Sequence, residues 1–232
     1  TIDSTVCKAA YEALGDRRGA VVIYNYKTGE VLCMVSSTTY DPENPPEITE
    51  ENEDQYKGAY LNRVLSSTFT PGSIFKVVTA ACAIENIPNI YERTFDCQGY
   101  TEMNGQKITC MENHGKISFK DGLAKSCNVV FSELAAELGA DKMTKTAAEL
   151  GFGQSFDISG IPTVKSDYNV QGATQNQLGW SGIGQYTDLV NPMHMAIMMG
   201  AIANGGTPVT PFTVLSESGY FGIKGLSNTG SE

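Results

Sequence analysis

The feature that most constrains the fold is the stretch from Ser66 to Asn86, which predicts a buried helix with a defined start and end. Thr70-Pro71-Gly72 is a turn signal at its beginning. The helix is expected to stop at Ile87-Pro88, because a proline disfavours helical backbone in the residue before it. Its apolar positions are Val77, Val78, Ala80, Ala81, Ala83 and Ile84.

Ser73 and Lys76 form a candidate reactive pair within this stretch. Ser73 falls in the first turn of the predicted helix and Lys76 one turn later, so the two side chains share a face. Burial among apolar neighbours favours the neutral amine, which can then accept the serine proton. The free N–H groups at the same helix end can hold a developing oxyanion. Ser-x-x-Lys is common by chance, so a second motif is needed before the pair indicates catalysis.

Length and composition indicate one globular domain, with room for two lobes. The chain has 232 residues, of which 41% are hydrophobic and 18% charged. A net charge of −10 argues against a nucleic-acid surface, which needs clustered Lys and Arg. No apolar run approaches the roughly 20 residues that span a bilayer. Because the chain begins at Thr1 with no signal-like segment, we expect it to be a portion of a longer protein.

The six cysteines do not form a recognisable framework. They contain no C-x-x-C pair, so we expect neither a zinc site nor any other metal site. Cys97 and Cys110 flank a polar, hairpin-like segment, and geometry rather than spacing decides whether they form a disulfide. Cys82, inside the apolar helix, is expected to be a buried free thiol.

The N-terminal part of the chain predicts a helix followed by an antiparallel hairpin. Residues 1–14 have one apolar side, as an amphipathic helix does. Gly19–Tyr26 and Glu30–Ser36 are β-rich runs joined by Lys27-Thr28-Gly29, which predicts a hairpin. Residues 37–58 are polar and contain prolines, as a solvated loop does. The order indicates a sheet covered by helices.

The remainder alternates predicted helices with polar segments. Cys97–Ser118 and residues 155–180 are both expected to be irregular, and Trp180 is expected to serve packing. His114 is expected to be structural, because two histidines in the whole chain give poor support for a Ser-His-Asp triad. The methionines after residue 190 are interpreted as core filler. Helices are predicted over Ser118–Lys125, Val129–Ala140, Lys142–Leu150 and Leu189–Ala203.

The second motif is Ser126-Cys127-Asn128, which interrupts a helical stretch. Ser and Asn often cap helices, so the triplet alone is compatible with an ordinary connection. After Ser73 and Lys76, however, it completes the order S-x-x-K then S-x-N, which marks a class of acyl-transferring serine enzymes.

With these motifs, the chain resembles the transpeptidase domain of the penicillin-binding proteins over nearly its whole length. The hairpin and loops look like those of the high-molecular-weight, membrane-anchored members, particularly from Gram-positive bacteria. The resemblance implies an α+β fold of the β-lactamase/transpeptidase-like kind, with an antiparallel sheet flanked by helices and a helical lobe. The matching segments are TIDSTV, GAVVIYNYKTGEVLCMVS, YDP, TPGSIFK, HGKIS, KSCNVVF, ELG, GFG, GIGQ, NPMHMA, IANGG and TPVTP.

The resemblance also implies roles for the catalytic residues. Ser73 would be the acylated nucleophile and Lys76 its proton acceptor. Ser126 would relay a proton to the leaving amine, and Asn128 would hold the substrate amide and the Lys76 side chain. Gly184 and Gln185 match a Gly-Gln segment that we interpret as structural support near the cleft.

The family's third motif, a Lys-Thr-Gly near the C-terminus, does not occur at the expected place. The only Lys-Thr-Gly is Lys27 to Gly29, in the predicted hairpin turn, and the nearest surrogate is Asn228-Thr229-Gly230-Ser231. We expect residues 1–232 to form one transpeptidase domain that lacks the family's C-terminal strands. Its sheet lobe is expected at about 1–66 and 204–232, and its helical lobe at about 67–203.

The function that the resemblance implies is a penicillin-binding serine D,D-transpeptidase, which cross-links peptidoglycan stem peptides through an acyl-enzyme on Ser73. Its expected partners are stem peptides ending in D-Ala-D-Ala, β-lactam antibiotics and cell-wall assembly proteins, with no nucleic acid and no cofactor. Its expected location is extracytoplasmic, on a membrane anchor in a preceding region. Three alternatives stay open: a carboxypeptidase, a β-lactam-sensing domain, and a catalytically impaired pseudoenzyme that acts as a scaffold.

Overall fold

The computed structural model describes residues 1–214, which form two compact units. The surrogate motif Asn228–Ser231 lies outside these residues. Unit 1 comprises residues 1–68, 155–164 and 191–214, and unit 2 comprises Phe69–Gln154 and Lys165–Val190. None of the helices within 1–214 is both long and apolar enough to cross a bilayer.

Unit 1 begins with the predicted helix and hairpin. Asp3 caps the first helix by accepting the backbone N–H groups of Thr5 and Val6, which satisfies two donors that have no partner within the helix. The next two strands pair antiparallel, with Val21 opposite Val35, so both predictions are confirmed. The elements of this unit are α1 (Ser4–Leu14), β1 (Ala20–Tyr24), β2 (Val31–Ser36), α2 (Glu53–Tyr56), α3 (Arg63–Ser66), β7 (Asp157–Ile158), β8 (Ile161–Pro162) and α8 (Pro192–Ala203).

The core of unit 1 forms where α8 packs on the hairpin and on α3. Asn191 anchors this helix, since its Oδ1 accepts from the N–H groups of Met193 and His194. Its Nδ2 donates to the carbonyls of Val64 and Leu65. Residues that are buried together in this core are Val31, Val64, Leu65, Ile158, Met193 and Ile197.

The boundary between the predicted lobes needs correction. Residues 155–164 and 191–203 were expected in the helical lobe, but both belong to unit 1. The reason is packing, because Ile158 and Met193 are buried in the hairpin's core. Gly200 allows α8 to approach β1 closely, since a Cβ there would overlap the hydroxyl end of the Tyr24 side chain. The expectation that the methionines fill the core holds for Met193, Met195 and Met198, whereas Met199 is 46% exposed.

Unit 2 is built on two packed helices and two antiparallel strand pairs. The helix predicted after the Thr70-Pro71-Gly72 turn forms as a 3-10 turn followed by α4 (Lys76–Asn86), which ends before Ile87 as expected. The other long helix changes direction at Gly139, where its φ is +81°. The helices and strands are α4 (Lys76–Asn86), β3 (Thr94–Cys97), β4 (Tyr100–Met103), β5 (Gln106–Thr109), β6 (Gly115–Ser118), α5 (Phe119–Ala124), α6 (Asn128–Glu149) and α7 (Gln175–Ser181).

Two segments are more regular than the sequence predicts, one in unit 2 and one, residues 155–180, divided between the two units. Cys97–Ser118 was expected to be irregular apart from a hairpin-like segment between Cys97 and Cys110. β4 and β5 form that hairpin, and β6 returns to pair with β3, which was not predicted. Residues 155–180 were expected to be a loop, yet they include the start of α7, which a capping box between Thr174 and Gln177 begins. The strands in these segments are only two to four residues long, so their regularity comes from pairing and capping rather than from apolar periodicity.

Asp188 is a buried carboxyl in unit 2. Its side chain is 1% exposed, and neither carboxylate oxygen has a hydrogen-bond partner within residues 1–214. Burial, assisted by the nearby charge of Asp167, raises the pKa of Asp188 from its ordinary 3.8 to about 8. The carboxyl is therefore protonated at neutral pH in the folded protein.

Asp188→Asn should remove a pH-dependent loss of stability. Between pH 3.8 and about 8 the folded state keeps a proton that the unfolded state releases. The free energy of unfolding therefore falls as the pH rises, by up to about 1.4 kcal/mol per pH unit from this group. We expect Asp188→Asn to match the parent chain near pH 4 and to exceed its stability increasingly towards pH 8.

Denaturant unfolding at several pH values tests this, with Asp141→Asn, at an exposed position of α6, as the control. Parallel pH profiles for all three proteins would contradict the assignment.

Candidate active site

The turn before α4 presents Ser73 at the surface and Lys76 beneath it. Pro71 enters the 3-10 turn Gly72–Phe75, which continues into α4 at Lys76. Ser73 is exposed, whereas Lys76 is 1% exposed. Phe75 fixes the turn from below, because its fully buried ring stacks on Tyr168 with the ring centroids 5.0 Å apart. The turn thus places a hydroxyl in solvent directly over a buried amine.

The Lys76 amine lies among four oxygen atoms. Its Nζ is 3.2 Å from the Ser73 Oγ and 2.9 Å from the Ser126 Oγ. Two further contacts are shorter, to the Ser126 carbonyl oxygen at 2.6 Å and to Asn128 Oδ1 at 2.7 Å. All four candidate residues from the two sequence motifs therefore meet at one nitrogen.

The protonation of Lys76 is set mainly by burial. Burial lowers its pKa from 10.5 to about 8, and the neighbouring thiols of Cys110 and Cys127, when ionised, oppose that shift. The charged ammonium has three N–H donors for four oxygens. The neutral amine has two donors, which suit the carbonyl of Ser126 and Oδ1 of Asn128, since these oxygens only accept. Its lone pair is then directed to a hydroxyl proton of Ser73 or Ser126.

The Ser126–Asn128 turn owes its shape to local strain and to backbone hydrogen bonds. Ser126 has a φ of +54°, a left-handed conformation that costs a non-glycine residue about 1 kcal/mol or more. Hydrogen bonds from Ser126 N to Leu123 O and from Cys127 N to Gly122 O hold it there. This conformation turns both the hydroxyl and the carbonyl of Ser126 towards Lys76.

Asn128 is oriented by its second amide atom. Its Nδ2 donates to the carbonyl of Thr109 at 2.9 Å, and because a carbonyl can only accept, Oδ1 must point to Lys76. Its backbone N–H donates to the Sγ of Cys110 at 3.3 Å. The end of β5 therefore positions the start of α6.

The Gly184–Gln185 segment supports the Ser73 turn from the other side. Gly72 N donates to Gly184 O at 2.9 Å, and Gly184 has a φ of +74°. A Cβ on Gly184 would overlap the Gly72 carbonyl oxygen. Thr79, one turn after Lys76, donates to the Gly182 carbonyl at 2.8 Å. The contacts agree with the interpretation of this segment as structural support.

A pocket of about 170 Å³ adjoins the Ser73 hydroxyl. Its wall includes half-buried Trp180, for which the sequence predicted only packing, and Thr109 and Cys110, which no motif indicated. The tertiary structure alone identifies Thr109, Cys110 and Trp180 as residues that line this pocket. The lining residues are Ser73, Thr109, Cys110, Met111, Asn128, Trp180, Ile183 and Gln185.

The chain belongs to the penicillin-binding protein transpeptidase family, since the family model described as "Penicillin binding protein transpeptidase domain" matches residues 19–224. Peptidoglycan D,D-transpeptidase PbpA of Mycolicibacterium smegmatis is 30% identical over 94% of this chain. Stage V sporulation protein D of Bacillus subtilis is 30% identical over 82% of it. The chain spans about half the length of the first relative (48%) and 29% of the second.

Solved structures agree with this assignment. The D,D-transpeptidase domain of a peptidoglycan glycosyltransferase from Eggerthella lenta superposes with a TM-score of 0.80 at 27% identity, covering 91% of this chain and 55% of that one. Penicillin-binding protein A of Mycobacterium tuberculosis, as its penicillin G acyl-enzyme complex, gives 0.78 at 25% identity, covering 91% and 53%. The expected α+β fold of the transpeptidase kind is thereby confirmed.

Gly184→Ala should destabilise the protein more than the same change at Gly172. Both glycines have nearly the same positive φ, +74° and +73°, so the backbone penalty for alanine is matched. Only at position 184 does the new Cβ meet an atom, the carbonyl oxygen beneath the Ser73 turn. Overpacking of this kind costs about 1–3 kcal/mol beyond the conformational penalty.

The measurement is the free energy of unfolding from denaturant titration of the two variants and the parent. Equal losses at the two positions would show that the close approach of Gly184 to Gly72 does not contribute to stability.

Proposed function

We propose that this chain carries the acyl-transfer centre of a peptidoglycan D,D-transpeptidase, with Ser73 as the nucleophile. The observation that carries the proposal is the arrangement at Lys76, where a buried amine with a lowered pKa lies 3.2 Å from an exposed serine hydroxyl. A serine hydroxyl is a weak nucleophile until a neighbouring base takes its proton. The names of the relatives and the acyl-enzyme structures of a neighbour support the same chemistry.

In the first half-reaction, Ser73 Oγ attacks the carbonyl carbon of the penultimate D-alanine of a stem peptide. Neutral Lys76 accepts the hydroxyl proton as the C–O bond forms. The C–N bond to the terminal D-alanine then breaks, and the proton passes through the Ser126 hydroxyl, 2.9 Å from Lys76, to the departing amine. The products are an ester on Ser73 and free D-alanine.

In the second half-reaction, an amine from a neighbouring stem peptide attacks the Ser73 ester. The same pair, Lys76 and Ser126, removes a proton from that amine, and Ser73 leaves with a proton restored. Asn128 contributes by holding Lys76 through Oδ1 and by facing the pocket beside Ser73. The place of this reaction is the cell wall, outside the cytoplasmic membrane, with membrane attachment through a region beyond this chain.

A β-lactam provides the direct test, because its strained amide would acylate Ser73 without a leaving group that diffuses away. Incubation with penicillin G should add one drug mass to the 232-residue chain, and Ser73→Ala should abolish the adduct. Ser66→Ala, at an exposed position in α3, should still form it. Intact-protein mass spectrometry with peptide mapping reads the outcome.

Circular dichroism shows whether each variant is folded, so that a missing adduct is not confused with misfolding. A folded chain that forms no adduct, or a Ser73→Ala variant that still forms it, overturns the proposal. A stem peptide ending in D-Ala-D-Ala, offered with a D-amino acid acceptor, then separates transfer from its alternatives. An exchanged peptide indicates transpeptidation, a shortened peptide indicates carboxypeptidation, and an adduct without turnover indicates a sensor.

The rate of acylation should rise with pH and level off above about 8. Below the pKa of Lys76, which burial lowers to about 8, the fraction of neutral amine increases about tenfold per pH unit. Because only the neutral amine accepts the Ser73 proton, the rate constant should follow that fraction. Labelling with a fluorescent penicillin, quenched at successive times, measures the rate constant of acylation, and the uncatalysed hydrolysis of the drug is subtracted. A rate constant independent of pH between about 6 and 8 would argue against Lys76 as the base.

A further inference from the structure

Three cysteines and a histidine converge in unit 2, next to the Ser126–Asn128 turn. They come from separate parts of the chain, since Cys97 ends β3, Cys110 follows β5, His114 precedes β6, and Cys127 precedes α6. Their four ligand atoms all lie within 4.8 Å of one another. Cys97 and Cys127 are fully buried, and the other two residues are half-buried. We propose that this cluster is a structural zinc site with Cys97, Cys110, His114 and Cys127 as its ligands.

The distances between the ligand atoms fit a tetrahedral ion. Bonds of about 2.3 Å to sulfur and about 2.0 Å to nitrogen place the ligand atoms of a tetrahedral zinc roughly 3.5–3.8 Å apart. His114 Nδ1 is 3.4 Å from the Cys97 Sγ and 3.6 Å from the Cys110 Sγ. The sulfurs of Cys110 and Cys127 are 3.9 Å apart. These three of the six separations lie within about 0.2 Å of the tetrahedral range, and the other three are at most 4.8 Å.

The same distances do not describe a disulfide. A disulfide requires sulfurs about 2.05 Å apart, and all six cysteines of the chain are free thiols here. Oxidation also pairs only two sulfurs, so it would leave one of the three thiols and His114 without a role. The disulfide between Cys97 and Cys110 that the sequence left open is therefore not the arrangement that the structure contains.

The surroundings of the cluster suit thiolates. The Sγ of Cys110 accepts the backbone N–H of Asn128 at 3.3 Å, and the neighbouring backbone N–H groups of Glu112 and Val129 lower the pKa of the Cys110 thiol. Backbone donors aimed at sulfur stabilise metal-bound thiolates and orient them. Cys97 differs, because its Sγ faces the Glu112 carbonyl at 3.5 Å and is a donor as a thiol. That proton would be released on metal binding.

The donor set selects the ion. Three thiolates and an imidazole are soft and intermediate ligands, which favour Zn²⁺ over Mg²⁺ or Ca²⁺. Four protein ligands close the tetrahedron, leaving no position for water, as in structural rather than catalytic sites. Cys110 and His114 enclose only Met111, Glu112 and Asn113, a spacing of the kind that structural zinc sites use for a ligand pair.

The site would act by positioning the catalytic turn. Cys127 lies between Ser126 and Asn128, and Cys110 follows Thr109, whose carbonyl orients the Asn128 amide. An ion bound to both cysteines ties the end of β5 to the start of α6. It would therefore hold the Ser126 hydroxyl and the Asn128 side-chain amide, which contact Lys76, without itself touching the substrate.

The first test is metal content, which does not depend on the proposed activity. The 232-residue chain, purified in reductant without chelator after growth with zinc chloride, should contain about one Zn²⁺ per molecule by plasma mass spectrometry. Cys97→Ser and His114→Ala should lower that content at least tenfold. Cys82→Ser, a fully buried cysteine in the same unit but outside the cluster, should leave it unchanged.

The second test identifies the ligands and separates metal loss from misfolding. Cobalt added to the metal-free chain should give the intense visible bands of a tetrahedral ion and a near-ultraviolet thiolate charge-transfer band. His114→Cys should retain the ion and strengthen the charge-transfer band, because it replaces imidazole by a fourth thiolate. The proposal is overturned by a folded, reduced chain without zinc, by zinc that Cys97→Ser retains, or by a disulfide within the cluster.

Discussion

The proposed catalytic centre depends on one buried amine. Lys76 is held by two oxygens that can only accept, on Ser126 and Asn128, and burial lowers its pKa to about 8. These two oxygens accept the two N–H groups of the neutral Lys76 amine, so its lone pair is directed to a serine hydroxyl. Each other feature of the centre serves this arrangement, from the stacked Phe75 under the turn to the left-handed backbone of Ser126. The proposed nucleophile, Ser73, can then stay exposed, because its proposed base, Lys76, is fixed from below.

The proposed zinc site and the catalytic turn share one loop. Cys127 occupies the middle of the Ser126–Asn128 triplet, so the backbone that presents two of the proposed catalytic groups also presents a proposed metal ligand. A strained, polar turn between two helices has little apolar surface to hold it, and a four-ligand ion supplies that rigidity by other means. Ser126 and Asn128 would then serve the proposed chemistry, and Cys127 between them would stabilise the turn.

Sequence patterns predicted most of the helices and the N-terminal hairpin, because those elements carry apolar periodicity or turn signals. They indicated a hairpin-like segment for β4 and β5 but failed for β3 and β6, since four-residue polar strands owe their pairing to partners rather than to their own composition. They failed for α8 as a member of the helical lobe, because a helix that is apolar on all sides does not indicate what it packs against. The cysteine cluster was missed for a related reason, since its ligands fit no local motif.

The sequence by itself determined the family and the proximity of Ser73 and Lys76, because these residues lie one helical turn apart and local geometry brings them together. Only the tertiary structure decided that Ser126 and Asn128 reach the same amine, that Gly184 closes on Gly72, and that Cys97, Cys110, His114 and Cys127 meet. These contacts join residues far apart in the chain. Their distances follow from how strands and helices pack, which no spacing along the sequence contains.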